Sequence, residues 1–249
     1  APPMAGALLI CIFGQVHLTL LIGVLRDNLW LTTDSPMLLV ITACGLLTAL
    51  VGGLFAFAQR QPGRLLAYAA ISNTGFVLVA LGTGSAWGVT SAVAHSVTRA
   101  LTVLLVAMSL GAVRTHLRRE TGFSLQEALK WAPGGVLGYI AGGLALGGFP
   151  LFNGFATRWL IYRSLPQQDA LFLGVLVLSG VGVVLGYLRS LSMMLQPSPE
   201  MTEDREPLPV TVLILSLVGL CLLRGLRPGL LMTPLHEMLL GSGLVNAGL

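Results

Sequence analysis

His95 and Arg99, two basic residues one helical turn apart, stand inside the apolar run 87–113 and open the chemistry of this sequence. At i and i+4 they share one helix face, and Ser96, Thr98 and Thr102 add hydroxyls around them. Arg158 follows a stretch, Gly147-Gly148-Phe149-Pro150-Leu151-Phe152-Asn153-Gly154, that interrupts a second apolar run with glycines, a proline and an asparagine. His17, beside Gln15, completes the ionisable groups expected inside apolar segments. All ten carboxylates fall in predicted loops, span ends or the tail, and Arg189 is near enough to a span end to snorkel. A histidine changes charge near neutral pH and can relay protons, whereas an arginine stays charged. The pattern therefore predicts a hydrated polar path in which His95 titrates while Arg99 and Arg158 set the field, hold water and exclude cations. With no acid beside them, the arginines are expected to pair with backbone carbonyls at helix breaks or with groups of another chain. His17 reads more simply as a helix–helix hydrogen bond, and Ser72-Asn73-Thr74 as a packing notch.

Such groups need a bilayer around them, and the composition supplies one. Of 249 residues, 55% are hydrophobic and 10% charged, with a mean hydropathy of +0.85; a soluble domain carries roughly 25% charged residues. The chain thus reads as an all-α integral membrane protein. A crossing helix needs ~20 mostly apolar residues, and residues 4–25, 36–58, 65–81, 87–113, 170–195 and 208–223 qualify. The run 134–165 reads as two shorter helices, 134–147 and 154–165, on either side of the break. Irregular backbone at bilayer depth is tolerated where it is buried in protein or lines a hydrated cavity, and half-helices of this kind mark ion sites in transporters. The total is about eight segments in a single transmembrane domain, 1–249, with no soluble domain or short repeat.

Taken as a re-entrant pair, the half-helices put Arg60, Arg64, Arg114, Arg118, Arg119, Lys130, Arg163, Arg224 and Arg227 on one side. Only Arg26, Arg189 and Arg205 then face the other, so the basic side should be cytoplasm or mitochondrial matrix. A single broken crossing would move everything after it and weaken that asymmetry. Trp30, Trp87 and Trp131 fall at predicted span ends, where amphipathic rings prefer to sit. The linker 114–131 is polar enough to lie along the basic surface, and the tail 230–249 reads either as surface-bound or as a partial helix. No basic segment precedes the first apolar run, so no cleavable leader is expected. Cys11, Cys44 and Cys221 read as small core hydrophobes. A net charge of +4 and a pI near 9.4 come mostly from loop arginines and argue about topology, with no nucleic acid as partner. Phosphate-binding loops, dinucleotide fingerprints and metal-ligand spacings are not found. No cofactor or metal is expected, nor catalysis by this chain alone.

Four stretches carry a family resemblance. Arg64 through Phe76 (RLLAYAAISNTGF) resembles the K-R-L-L-A-Y-S-S-I-S-x-x-G-F/Y helix of the antiporter-like membrane subunits of respiratory complex I, relatives of Mrp-type antiporter subunits. Ala94 through Leu101 resembles their H-x-x-x-K-A-L helix, and Gly148 through Trp159 their G-x-P-P-x-x-G-F-x-x-K-W broken helix. Pro3 through Leu9 resembles, more weakly, the start of their other discontinuous helix. The resemblance implies about fourteen helices in two inverted repeats, with each broken helix crossing once, so that seven crossings would belong to this chain. It also implies that only the later part of that fold is present, without the helix bearing the family's intramembrane glutamate. The family's buried lysines are replaced: Val16 stands at the first, flanked by Gln15 and His17, Gly63 precedes Arg64, and Arg99 and Arg158 take the other two places.

The resemblance implies a membrane-arm subunit of a complex I-like NADH:quinone oxidoreductase contributing to proton translocation. Its partners would be other membrane-arm subunits and the lipid bilayer of a bacterial plasma membrane or mitochondrial inner membrane, with redox cofactors and quinone on partner subunits. The proton path would comprise His95, Arg99, Arg158 and His17. Two alternatives stay open: a degenerate scaffold of the same arm that no longer pumps, and a subunit of a cation/proton antiporter.

Overall fold

The computed structural model describes residues 3–28, 30–33, 36–116, 132–165, 170–194 and 206–241. The linker 117–131 with Lys130 and Trp131, the acidic run 195–205 and the last residues of the tail lie outside the described residues. Ten helices occupy the rest: α1 (Pro3–Asp27), α2 (Trp30–Thr33), α3 (Met37–Ala58), α4 (Pro62–Gly82), α5 (Ala86–His116), α6 (Pro133–Gly147), α7 (Asn153–Ser164), α8 (Ala170–Met194), α9 (Leu208–Leu226) and α10 (Gly229–Gly241). Six of them, α1, α3, α4, α5, α8 and α9, are long and apolar enough to cross a membrane, and α6 is a shorter apolar helix. The chain is an all-α, multi-pass membrane protein, and each of the eight expected segments is a helix.

Burial orders the helices. Two thirds (67%) of the apolar windows of α4 and α5 are buried, against 22% for α1 and 11% for α9, so α4 and α5, with the largely buried α6, form the centre, and α1 and α9 present Leu, Ile, Val and Phe outward. Where hydrocarbon surrounds the protein, helices associate through close packing and buried hydrogen bonds. Accordingly, Gly45, Ala49 and Gly52 of α3 lie against Ser72 and Gly75 of α4. The Ser72 and Ser179 hydroxyls meet at 2.7 Å, and Ser179 Oγ donates to Ala49 O at 2.6 Å, joining α3, α4 and α8. Prolines at the first turns of α4 and α6 start those helices without wasting a donor.

The two half-helices run in the same direction, antiparallel to α5. Gly135 lies against Val113, Gly142 against Val106, Thr157 meets His95, and Leu160 and Ser164 share a cavity with Ser85 and Trp87. Together α6 and α7 make one broken crossing, which corrects the re-entrant expectation. As a result Arg163 ends opposite Arg60 and Arg64. Arg189 moves the other way: its guanidinium bonds Phe57 O and, at 2.7 Å, Gln59 O, so it shares the Arg60 end.

Two further expectations change. Helices α9 and α10 follow the same line along α5, with Ile214 against Gly138 and His236 stacked on Trp87 at 3.9 Å between centroids, its Nδ1 2.9 Å from Thr90 Oγ1. The described tail is therefore a partial helix, and Arg224 and Arg227 sit at the level of the α6–α7 break, away from the Arg60 end. Cys11 and Cys221 are buried, but Cys44 is exposed on the outer face of α3.

Candidate functional site

The break begins with a helix end whose carbonyls must all find donors, since a buried unpaired backbone group costs about as much as a lost hydrogen bond. Gly148, left-handed at φ 78°, turns the chain. Its N–H donates to Ala145 O at 3.1 Å, and Phe149 N–H to Leu144 O at 2.9 Å. That accounts for two of the last four carbonyls of α6. Arg158 takes the other two, with Nη1 on Gly147 O at 2.6 Å and Nη2 on Leu146 O at 2.7 Å. The guanidinium is thus a side-chain cap on the negative end of the α6 dipole, and its carbon lies 4.2 Å from the Phe76 ring centroid. The expected pairing of an intramembrane arginine with break carbonyls is what the structure holds at Arg158, which is 3% exposed.

Opposite this cap, Glu206 closes the other end of α6, accepting from Gly134 N at 3.0 Å and Gly135 N at 3.3 Å. An acid at the start and a cation at the end suit the helix dipole. Gly154 lets α7 approach: a Cβ there would run into Ala145 O. Leu151 also has φ 78°, a conformation that costs a non-glycine residue about 1–3 kcal/mol and tends to accompany functional breaks.

His95, 1% exposed, sits between α4 and α7. Its Nδ1 is 2.8 Å from Thr157 Oγ1 and its Nε2 3.2 Å from Asn73 Oδ1. The Asn73 amide donates to Ala69 O at 2.7 Å and Leu146 O at 3.2 Å, which orients its oxygen toward His95 and toward Arg158 Nη2 at 3.2 Å. An oxygen only accepts, so Nε2 carries a hydrogen. Thr157 Oγ1 also lies 3.3 Å from Asn153 O and 3.2 Å from Gly154 O. Neutral His95 accepts from the Thr157 hydroxyl at Nδ1. Protonated His95 donates there, and the hydroxyl turns to a first-turn carbonyl of α7. Both protonation states are satisfied by one rotation.

Arg99 is 4% exposed and diverges from His95 toward α1. Its Nη1 bonds Thr74 Oγ1, and its guanidinium lies against Gly14. A cavity of about 240 Å³ opens there, lined in part by Arg99, Ser96, Thr74, Gly14 and His17. The Ser96 hydroxyl, fully buried, has no hydrogen-bond partner among the described residues. His17 itself is exposed, with Nδ1 2.6 Å from Phe13 O of its own helix. This corrects its placement inside the chain: it rims the Arg99 cavity, and among the described residues it bonds its own helix and neither another helix nor His95.

The structure therefore joins His95 and Arg158 through Asn73, and Arg99 and His17 through a groove. Sequence reasoning gave Asn73 to packing and missed Thr157. Their signals were present, Asn73 on the face of α4 that carries Phe76 and Thr157 four residues after Asn153, but neither residue type is ionisable. Among the described residues no group of His, Cys, Asp and Glu could hold a metal ion.

Residues 1–186 match the family model described as NADH:quinone oxidoreductase/Mrp antiporter, TM. The chain belongs to that family. It is 29% identical over 194 residues to NADH-quinone oxidoreductase subunit N of Cereibacter sphaeroides, covering 76% of this chain and 42% of the relative. Among solved structures it superposes on a chain of the Mrp complex from Dietzia sp. with a TM-score of 0.74 at 19% identity, covering 82% of this chain and 47% of the other. A chain of the archaeal membrane-bound sulfane sulfur reductase gives 0.73 at 23% identity, with 92% and 48% covered. At those identities the structures speak for the fold, and the chain spans less than half the length of each of these relatives.

Proposed function

We propose that this chain is a membrane-arm subunit of a complex I-like NADH:quinone oxidoreductase and contributes to proton translocation. Its partners are other membrane-arm subunits in a bacterial plasma membrane or mitochondrial inner membrane, and redox cofactors and quinone belong to partner subunits of the complex. The observation that supports this is the setting of His95: a buried imidazole at a helix break whose two protonation states both find partners through Thr157. His95 carries the proton; Arg158 holds the break open and fixes Asn73, and Arg99 sets the field on the α1 side. His17 stands at the rim of the Arg99 cavity, on the α1 side of the path.

The test is protons translocated per NADH oxidised by the reconstituted complex, with His95→Gln beside the parent. Glutamine keeps a donor toward Asn73 and cannot titrate. A lower ratio with oxidation and assembly intact supports the relay. An unchanged ratio removes it and leaves the scaffold reading, which one observation favours: of the four family lysine positions, two hold Val16 and Gly63 and two hold arginines, and the arginine at the break is bonded to two carbonyls.

A further inference from the structure

The groove at Arg99 is a cavity that the chain leaves incomplete at bilayer depth. Arg99 stands near the middle of α5, and Gly14, against its guanidinium, near the middle of α1. Ser96, three residues before Arg99 and on the same face of α5, lines the cavity with it, and both are buried. Among the described residues Arg99 has the Thr74 hydroxyl as its hydrogen-bond partner, the Ser96 hydroxyl has none, and the one ion pair is the exposed Arg26–Asp27. From that polar floor the walls run apolar toward the Asp27 end of α1, built by Leu18 and Leu21 of α1 and by Val77 and Leu78 of α4. From Gly14 to Leu21 is about 10 Å of helix.

We propose that this groove binds a long-chain fatty acid, with its carboxylate on Arg99 and Ser96 and its chain along Leu18, Leu21, Val77 and Leu78. A buried guanidinium beside a buried free hydroxyl selects a ligand with a negative charge and two acceptor oxygens, and a carboxylate has both. Water would leave the cation without a counter-charge. A phospholipid phosphate stays at the headgroup level, about 15 Å from the middle of the bilayer. Size excludes a helix from the cavity. A helix about 10 Å across fills roughly 800 Å³ over the same length, whereas the cavity holds about 240 Å³, room for a single hydrocarbon chain. The site does not depend on the function proposed above.

The experiment uses membranes containing the assembled protein and two photoreactive probes, read by mass spectrometry of the labelled peptides. One probe is palmitic acid bearing a diazirine and an alkyne, and the other is the alcohol of the same chain. The acid should label the segments around Leu18–Leu21 and Val77–Leu78 severalfold more than the alcohol does, and unlabelled palmitate should compete. Arg99→Leu should remove the preference for the acid, and Leu21→Trp should block the groove to both probes. Equal labelling by acid and alcohol in the parent overturns the carboxylate assignment. A groove that neither probe labels overturns the site, with water or another polypeptide in its place. Both of these readouts come from the parent, so neither needs a variant to fold, and neither depends on the His95→Gln pumping ratio.

Discussion

Arg158 and Arg99 occupy corresponding chemical roles, as lone cations on central helices, yet their surroundings differ in kind. Arg158 is held by α6, which hands it two carbonyls and the negative end of its dipole, and by Phe76, and it lines a cavity of about 320 Å³ with Gly148 and Gly180. Arg99 has the Thr74 hydroxyl and an open groove toward α1. A cation in apolar surroundings must be satisfied by something. At Arg158 two carbonyls and the Asn73 oxygen do this for both Nη atoms. At Arg99 the groove leaves room for water or for another polypeptide to finish it. Both arginines are buried, but one is fixed by the backbone of a helix break and the other by a single hydroxyl.

The strongest test of that contrast is Arg158→Leu. It leaves the Gly147 carbonyl without a donor and Leu146 O with only the Asn73 amide at 3.2 Å, at about 1–3 kcal/mol for a buried unsatisfied group, and should lower the thermal midpoint of the purified chain. Arg158→Lys should recover only part, because an ammonium lacks the fork that reaches both oxygens. If Arg158→Leu unfolds at the parental temperature, the capping account fails. Gly154→Ala drives a methyl into Ala145 O and should cost about 1–3 kcal/mol, as overpacking does; the same melt reads it.

A smaller stability effect is expected of Thr157→Val, about 1 kcal/mol for one buried hydrogen bond. Its signature lies elsewhere. With the rotating hydroxyl gone, the pH profile of proton translocation should move, and Thr157→Ser should restore it. An unmoved profile would separate Thr157 from the relay. Arg99→Leu should disturb the isolated chain least, below about 1 kcal/mol because one hydroxyl loses a partner. The loss should become larger in the assembled complex. Equal destabilisation by Arg99→Leu and Arg158→Leu in the isolated chain would erase the contrast.

Much of this architecture was legible in the residues. Apolar run lengths set eight helices close to their observed ends, and Gly148, Pro150 and Asn153 marked the break, because backbone chemistry is local. His95 and Arg158 stood out as ionisable groups in apolar runs. Asn73 did not, since an uncharged amide in a helix looks the same whether it packs or holds two functional groups.

What the sequence determined by itself was the membrane class, the helices, the break and the short set of groups able to carry or steer charge, all consequences of composition and short-range spacing. Only the tertiary structure decided that the half-helices cross once, that Arg158 caps α6 while Asn73 and Thr157 flank His95, and that His17 stays outside. It also brought Arg224 to the level of the break. Each depends on which helix faces lie together, and that is set by the close approach of small residues and by the need to satisfy every buried carbonyl, neither of which shows along a single strand of sequence.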